Sequence, residues 1–173
     1  MKTYCFYETV WGDGALLFNE KGLERVLFPS PSARDLSDEL NKHFEQYKHI
    51  QGRDYGLSST LARYFSGERV GFDVEIDFGR LSDFERAVLS KLRGLSYGKT
   101  IGYKDLAKEC GRPRAARAVG NALAKNPVPI VVPCHRILRN DGRLGGWSGP
   151  QGWKERLLEL EGIALGDSDR VRA

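Results

Sequence analysis

Cys134, His135 and Arg136 follow one another directly, at the end of a segment that reads NPVPIVVPCHR over positions 126–136. A thiol acts as a nucleophile through its thiolate, and cationic or protonatable neighbours favour that form. Pro127, Pro129 and Pro133 stiffen the segment. Each fixes φ and removes a backbone donor, so Pro133 is expected to end a strand of Ile130, Val131 and Val132 and leave the thiol at the bend. A cysteine beside an Ile-Val-Val run also fits an inert core position. Glu161 bears on the choice. It shares the side of Leu157 on the last helical stretch and lies in its final turn, where the helix dipole disfavours a carboxylate. An inward carboxylate needs a partner, and a histidine is the obvious one.

The elements that would position these groups can be read from periodicity. Ser82 and Glu85 form a capping box for a helix with the apolar stripe Phe84, Val88 and Leu92, ending near Gly94. A polar linker with Gly98 and Gly102 leads to a short helix from Tyr103 to Cys110, stopped by Gly111. Pro113 suits the first position of the next helix, whose core face would be Ala116, Val119, Gly120 and Leu123. Arg114, Arg117 and Asn121 lie on another face. Two short helices around a Gly-containing turn make a helix-turn-helix, although any helix pair in a bundle reads the same way. The second helix is thin, being rich in Ala and Gly, so its backbone could approach a duplex with Arg117 projecting from its middle. Residues 140–143 read as a turn. The loop GGWSGPQGW that follows, with Trp147 and Ser148, suits the wall of a pocket for a flat ring. The last helix runs from Trp153 to Glu161 with Trp153, Leu157 and Leu160 inward, and residues 166–173 are expected to fray.

Residues 1–80 read as a small α/β unit without chemistry. Thr3 to Tyr7, Gly14 to Phe18 and Leu23 to Phe28 are strand-like, the last two joined by a hairpin loop at 19–22. Ser32 with Asp35 opens a helix carrying Leu36, Leu40, Phe44 and Tyr47, and Ser58 to Phe65 forms a second. Phe72, Val74 and Ile76 alternate with acidic residues as a half-buried strand. His43 and His49 are expected to be solvated and Cys5 to be packed. A domain boundary falls near residues 79–81. The fold class expected is an α/β N-terminal domain over 1–80, with a small, mostly antiparallel sheet and helices. A mostly α C-terminal domain with a winged-helix-like helix-turn-helix follows over 81–173.

Charge separates the halves. Residues 1–80 carry 10 Lys/Arg against 13 Asp/Glu, whereas residues 81–173 carry 17 against 10. A basic half beside a mildly acidic one suits a protein that meets nucleic acid with one face. Three cysteines at 5, 110 and 134 without CxxC spacing point to a reducing compartment, and with three histidines they form no metal-ligand cluster. No apolar stretch is long enough for a signal or a membrane span, so a cytoplasmic protein is expected.

The PCHR segment preceded by Asn-Pro-Val-Pro, the upstream AARAVGNAL and the downstream GGWSG…LLELEG together resemble the O6-alkylguanine-DNA alkyltransferases. The resemblance is dense over residues 81–165 and loose over 1–80. It implies that Cys134 takes an alkyl group from O6 of guanine, with O4 of thymine as a further candidate, in one irreversible transfer without a cofactor or metal. It implies a Glu161–His135–water–Cys134 relay, with Asn126 holding the cysteine segment. Tyr103 would displace the phosphate and supply a proton, and Arg117 would fill the place of the extruded nucleotide. Ala116 and Gly120 would face the minor groove, with Lys104, Arg112, Arg114 and Asn140 near the DNA backbone. Trp147, Ser148, Gly149, Pro129, Val132 and Leu123 would line the base pocket. The partner implied is double-stranded DNA carrying O6-alkylguanine, bound by a monomer, with cooperative binding along DNA left open. Two departures stand out: Trp147 where the family commonly has Tyr, and Pro150 where a second Gly is usual. A lesion sensor that binds without transfer, a thiol hydrolase and a plain helix-turn-helix regulator are the rival readings. The sensor would lack the thiol, the hydrolase would draw its histidine from a distant position, and the regulator needs neither Cys134 nor Glu161.

Overall fold

The structure, a computed structural model, describes residues 1–52, 54–166 and 170–171. Its contacts divide the chain into two units, Met1–Gly79 and Arg80–Ala173.

The first unit is built on strands β1 (Thr3–Thr9), β2 (Gly12–Asn19) and β3 (Gly22–Ser30), which form an antiparallel meander. The inner strand β2 has Ala15, Leu16, Leu17 and Phe18 all buried, because helices cover the sheet. Helix α1 (Ala33–His43) starts at Ser32, whose hydroxyl accepts from the Asp35 amide, and it buries Leu36 and Leu40 against β2 and β3. A two-residue strand β4 (Lys48–His49) adds to β1 in parallel, giving the order β3-β2-β1-β4. Helix α2 (Leu57–Phe65) packs on β1. The strand expected at residues 72–76 does not form. Its side chains alternate between half-buried and exposed as the pattern requires, but only Ile76 bridges the sheet, where Leu23 exchanges bonds with Glu75 and Asp77 at 2.8 and 2.9 Å. Side-chain alternation records which face is covered; it does not supply a neighbouring strand.

In the second unit, helix α3 (Asp83–Arg93) begins with the full capping box of Ser82 and Glu85. A short strand β5 (Ile101–Gly102) runs into helix α4 (Tyr103–Glu109). Gly111, at φ 71°, ends α4 with the paired bonds of a Schellman motif, Gly111 to Lys108 and Arg112 to Ala107, both 2.9 Å. Helix α5 (Ala116–Ala124) starts three residues later than Pro113 suggested. Pro113 and Arg114 instead fill the centre of a turn closed by Ala115 N–H on Arg112 O at 2.9 Å, a position that suits the fixed φ of proline as well as a helix start does. The face of α5 turned inward is Val119, Ala122 and Leu123, while Ala116 and Gly120 are half-buried. Helices α3, α4 and α5 pack on one another, so α4 and α5 form a helix-turn-helix.

The apolar run after α5 is not a strand. Pro127, Pro129 and Pro133 take donors out of any ladder, and the chain turns back on itself through Ile130, a residue at φ 72°. A β-branched residue there is strained, by about 1–3 kcal/mol. Asn126 closes the loop, donating from Nδ2 to Val132 O at 2.8 Å and accepting at Oδ1 from Val128 N–H at 3.1 Å. Pro133, at φ −81° and ψ 65°, makes an inverse γ-turn in which Cys134 N–H returns to Val132 O at 2.9 Å. The thiol thus sits on a bend, as expected, but the bend is a turn followed by the 3₁₀ helix Cys134–Arg136. Strand β6 (Ile137–Leu138) then pairs in parallel with β5. Helix α6 (Trp153–Leu160) buries Leu157 as expected, together with Leu158 and Lys154, whereas Trp153 and Leu160 are half-buried. The tail, expected to fray over residues 166–173, is paired at its described residues. Strands β7 (Leu165–Gly166) and β8 (Arg170–Val171) pair, and Val171 N–H reaches Gly142 O at 3.0 Å; residues 167–169 and 172–173 lie outside the described residues.

Candidate active site

Glu161 caps α6 and is 3% exposed, and three groups converge on it. His135, fully buried, places Nε2 at 2.7 Å from Oε1. Arg136 sends Nε to Oε2 at 2.8 Å and Nη2 to Oε1 at 2.9 Å, a forked pair, while its Nη1 donates to Leu95 O. Gly98 N–H donates to Oε2 at 3.1 Å. Burial by itself would raise this carboxyl; the bonds from His135 and Arg136 outweigh it and hold it at about 2. Burial also keeps His135 below its ordinary value, against the pull of Glu161, so at neutral pH the ring is uncharged and Glu161 is a carboxylate. Nε2 is engaged by Glu161, and the ring's other nitrogen, Nδ1, is buried as well.

Cys134 is 5% exposed. The run of cationic neighbours suggested a thiolate, and the structure corrects that expectation. Burial pushes the thiol up, and the opposing help comes from Trp147, Asn126 and Lys154, not from His135 or Arg136, which are committed to Glu161. Trp147 donates its indole Nε1–H to Sγ at 3.2 Å, so the residue that replaces the expected phenol returns a donor to the sulfur itself. Lys154, 3% exposed, donates to Ile137 O at 2.7 Å and to Leu144 O. Burial lowers its ammonium to about 8.

A cavity of about 340 Å³ opens beside the sulfur. Tyr103, Gly120 and Leu123 line it with Cys134, and Trp147 and Ser148 come from the loop opposite. Tyr103 ties the two sides by donating to Gly146 O at 3.2 Å. Gly120 of α5 faces the Tyr103 ring, and a Cβ there would lie 3.7 Å from it, in ordinary contact. Pro129, Val132 and Gly149 do not line this cavity. Pro129 and Val132 are buried in the turn behind it, and Gly149 lies against the Trp147 ring, where a Cβ would clash at 2.3 Å. Lys104, Arg112, Arg114 and Arg117 are exposed on α4, α5 and the turn between them, and Arg112 stacks over Phe84 at 5.2 Å. Asn140 lies apart, in a second cavity with Tyr103, Arg139 and Asp141.

Two contributors escaped the sequence reading. From sequence Arg136 reads only as a charge beside the thiol; its fork on Glu161 depends on where α6 ends. Lys154 sits at i−3 from Leu157, on the side already assigned inward, and that spacing was the available signal.

A buried thiol beside a carboxylate-held imidazole, on a helix-turn-helix unit, defines a nucleophilic-cysteine site carried by a nucleic-acid-binding fold. Comparison with known proteins agrees. Residues 83–163 match the sequence profile of the 6-O-methylguanine DNA methyltransferase DNA-binding domain. The methylated-DNA–protein-cysteine methyltransferase of Mycobacterium bovis is 38% identical over 153 residues, which is 88% of this chain and 84% of that protein. A crystal structure of Mycobacterium tuberculosis O6-methylguanine methyltransferase superposes with a TM-score of 0.75 at 33% identity, covering 93% of each chain. One of Mycobacterium tuberculosis OGT in complex with DNA gives 0.76 at 34% identity and 92% of each. The chain belongs to the methylated-DNA–protein-cysteine methyltransferase family.

Proposed function

We propose that this protein repairs DNA directly, by moving an alkyl group from O6 of guanine onto Cys134 Sγ in a single displacement. The sulfur attacks the alkyl carbon, the carbon–O6 bond breaks, and the electron pair leaves with the base. The thioether formed has no good leaving group, so each chain acts once. Because burial holds Cys134 as a thiol, its proton must depart during attack. His135 is the acceptor: it is neutral, and through a bridging water its Nδ1 takes the proton while Glu161 stabilises the imidazolium. Glu161 does not itself become protonated, because Arg136 draws on both its oxygens. Tyr103, in the wall of the cavity, is suited to return a proton to the departing base.

The base must leave the duplex to reach the sulfur. In this reading α5 enters the minor groove over Ala116 and Gly120, Arg117 takes the vacated position, and Leu123, Trp147 and Ser148 enclose the base. Lys104, Arg112, Arg114 and Asn140 hold the backbone, so affinity depends on salt and little on sequence. Among the described residues no helix is long and apolar enough to cross a membrane. We assign the protein to the cytoplasm, working on DNA as a monomer.

The observation that carries this reading is the 2.7 Å contact of a fully buried His135 with Glu161, one residue from the thiol. The test is the intact mass after incubation with a duplex carrying methyl-labelled O6-methylguanine. One methyl gained on Cys134, saturating at one equivalent, is expected. Continued turnover would indicate a hydrolase, and binding without mass gain a lesion sensor.

A further inference from the structure

We propose that the turn at residues 139–143, together with strand β8, forms a second phosphate-binding site for the DNA strand being opened, built from Arg139, Arg143 and Arg170. The proposal rests on the repair reading above. Arg139 lines a cavity of about 340 Å³ with Tyr103, Asn140 and Asp141, adjacent to the reactive one, and Tyr103 belongs to both. One edge of the Tyr103 ring faces Gly120 of α5. The other faces Gly145, where a Cβ would lie 3.6 Å from the ring and 3.0 Å from Arg139 Cγ. The arginine cavity therefore lies across Tyr103 from the helix proposed to enter the groove.

The C-terminal strand brings the third cation. Arg170 bridges Arg143, Val171 N–H bonds Gly142 O at 3.0 Å, and the Arg170 side chain lies along Gly142. All three arginines are exposed, and among the described residues Asp141 is the acidic side chain beside them, 3.7 Å from Arg139 Nε and 3.9 Å from Arg143 Nε. Asp141 also accepts the Arg143 amide at 3.1 Å, which fixes the turn. Arg139 opens onto the cavity, Arg143 shares Asp141 with it and Arg170 lies along the same turn, so among the described residues three guanidiniums meet one carboxylate and leave an excess of forked donors suited to phosphodiester oxygens. A nucleotide whose base enters the Cys134 cavity leaves its phosphate outside, and the space beyond Tyr103 can receive it.

The experiment measures binding of a short labelled duplex to the full chain between about 50 and 200 mM salt, where each lost phosphate contact lowers the log–log slope by about 0.9. Arg139→Gln/Arg143→Gln/Arg170→Gln is expected to lower the slope by about 2 to 3, and Arg170→Gln alone by about 1. Reaction of Cys134 with free O6-benzylguanine, which has no phosphate, should be unchanged. A control with Lys21→Gln, Lys42→Gln and Lys48→Gln removes the same charge from the first unit. An unaltered slope in the triple variant, or one matched by the control, overturns the proposal. If the triple variant also loses the free-base reaction, Arg170→Gln alone decides, by its lowered or unchanged slope. Failure of the unmodified chain to bind duplex at all would instead remove the repair reading.

Discussion

Replacing Glu161 with Gln keeps the shape of the side chain and removes the charge that Arg136 and His135 share. The Arg136 side chain is 6% exposed, so its guanidinium would be left buried without an anion. Two estimates of the cost converge. Holding the carboxyl at about 2 instead of its ordinary 4.5 is worth about 3 kcal/mol at 1.36 kcal/mol per pH unit. Two unit charges about 4 Å apart attract by about 4 kcal/mol at an effective dielectric of 20. Both fall within the range of about 3–5 kcal/mol seen when one partner of a buried pair is removed. The expected loss is thus about 3–4 kcal/mol, a large fraction of the 5–15 kcal/mol available to a folded domain. Urea unfolding, followed by pulse labelling of Cys134 and peptide mass, reports on the unit that contains the pair. Adding Arg136→Met should recover stability, because the second change removes the stranded charge; a coupling of at least about 1 kcal/mol is expected. A loss under about 1 kcal/mol for Glu161→Gln, or strict additivity in the double variant, would refute the claim that one buried carboxylate organises this site.

Three further outcomes are expected. Stability should fall with acid in two stages. His135, held below its ordinary 6.5, cannot take the proton that the unfolded chain takes, so stability falls as pH drops through about 6.5; Glu161 adds its own loss from about 4.5 down toward 2. Thermal midpoints measured across pH check this, and stability that is flat down to pH 4 would contradict it. Arg117→Ala should reduce methyl transfer from duplex DNA by tenfold or more while leaving reaction with O6-benzylguanine intact; equal loss with both substrates would refute a flipping role for Arg117. Trp147→Phe removes the indole donor on Sγ, so the thiol should rise further and iodoacetamide labelling of Cys134 at pH 8 should slow; faster labelling would show that the ring acts chiefly as a cover.

The parts of the molecule readable from sequence are those governed by local chemistry. The capping box at Ser82 and Glu85, the Gly111 stop and the inward carboxylate at Glu161 each follow from a few neighbouring residues. Local pattern misleads where tertiary partners decide. Ile130 to Val132 have strand composition, yet the surrounding prolines and Asn126 fold them into a turn. Residues 72–76 alternate without a strand to join, and Pro113 fits a turn and a helix start equally well. The thiolate expected at Cys134 assumed that adjacent cations act on the sulfur, but sequence adjacency cannot show that a carboxylate 25 residues from Arg136 claims them first.

Lys154 joins the carbonyls of Ile137 and Leu144 through one ammonium, closing the neck of the intervening segment. The segment between them, which carries the turn at residues 139–143, is thereby tied at both ends to a single buried cation. A change of length within that segment is expected to leave the anchor on Ile137, three residues after Cys134, in place.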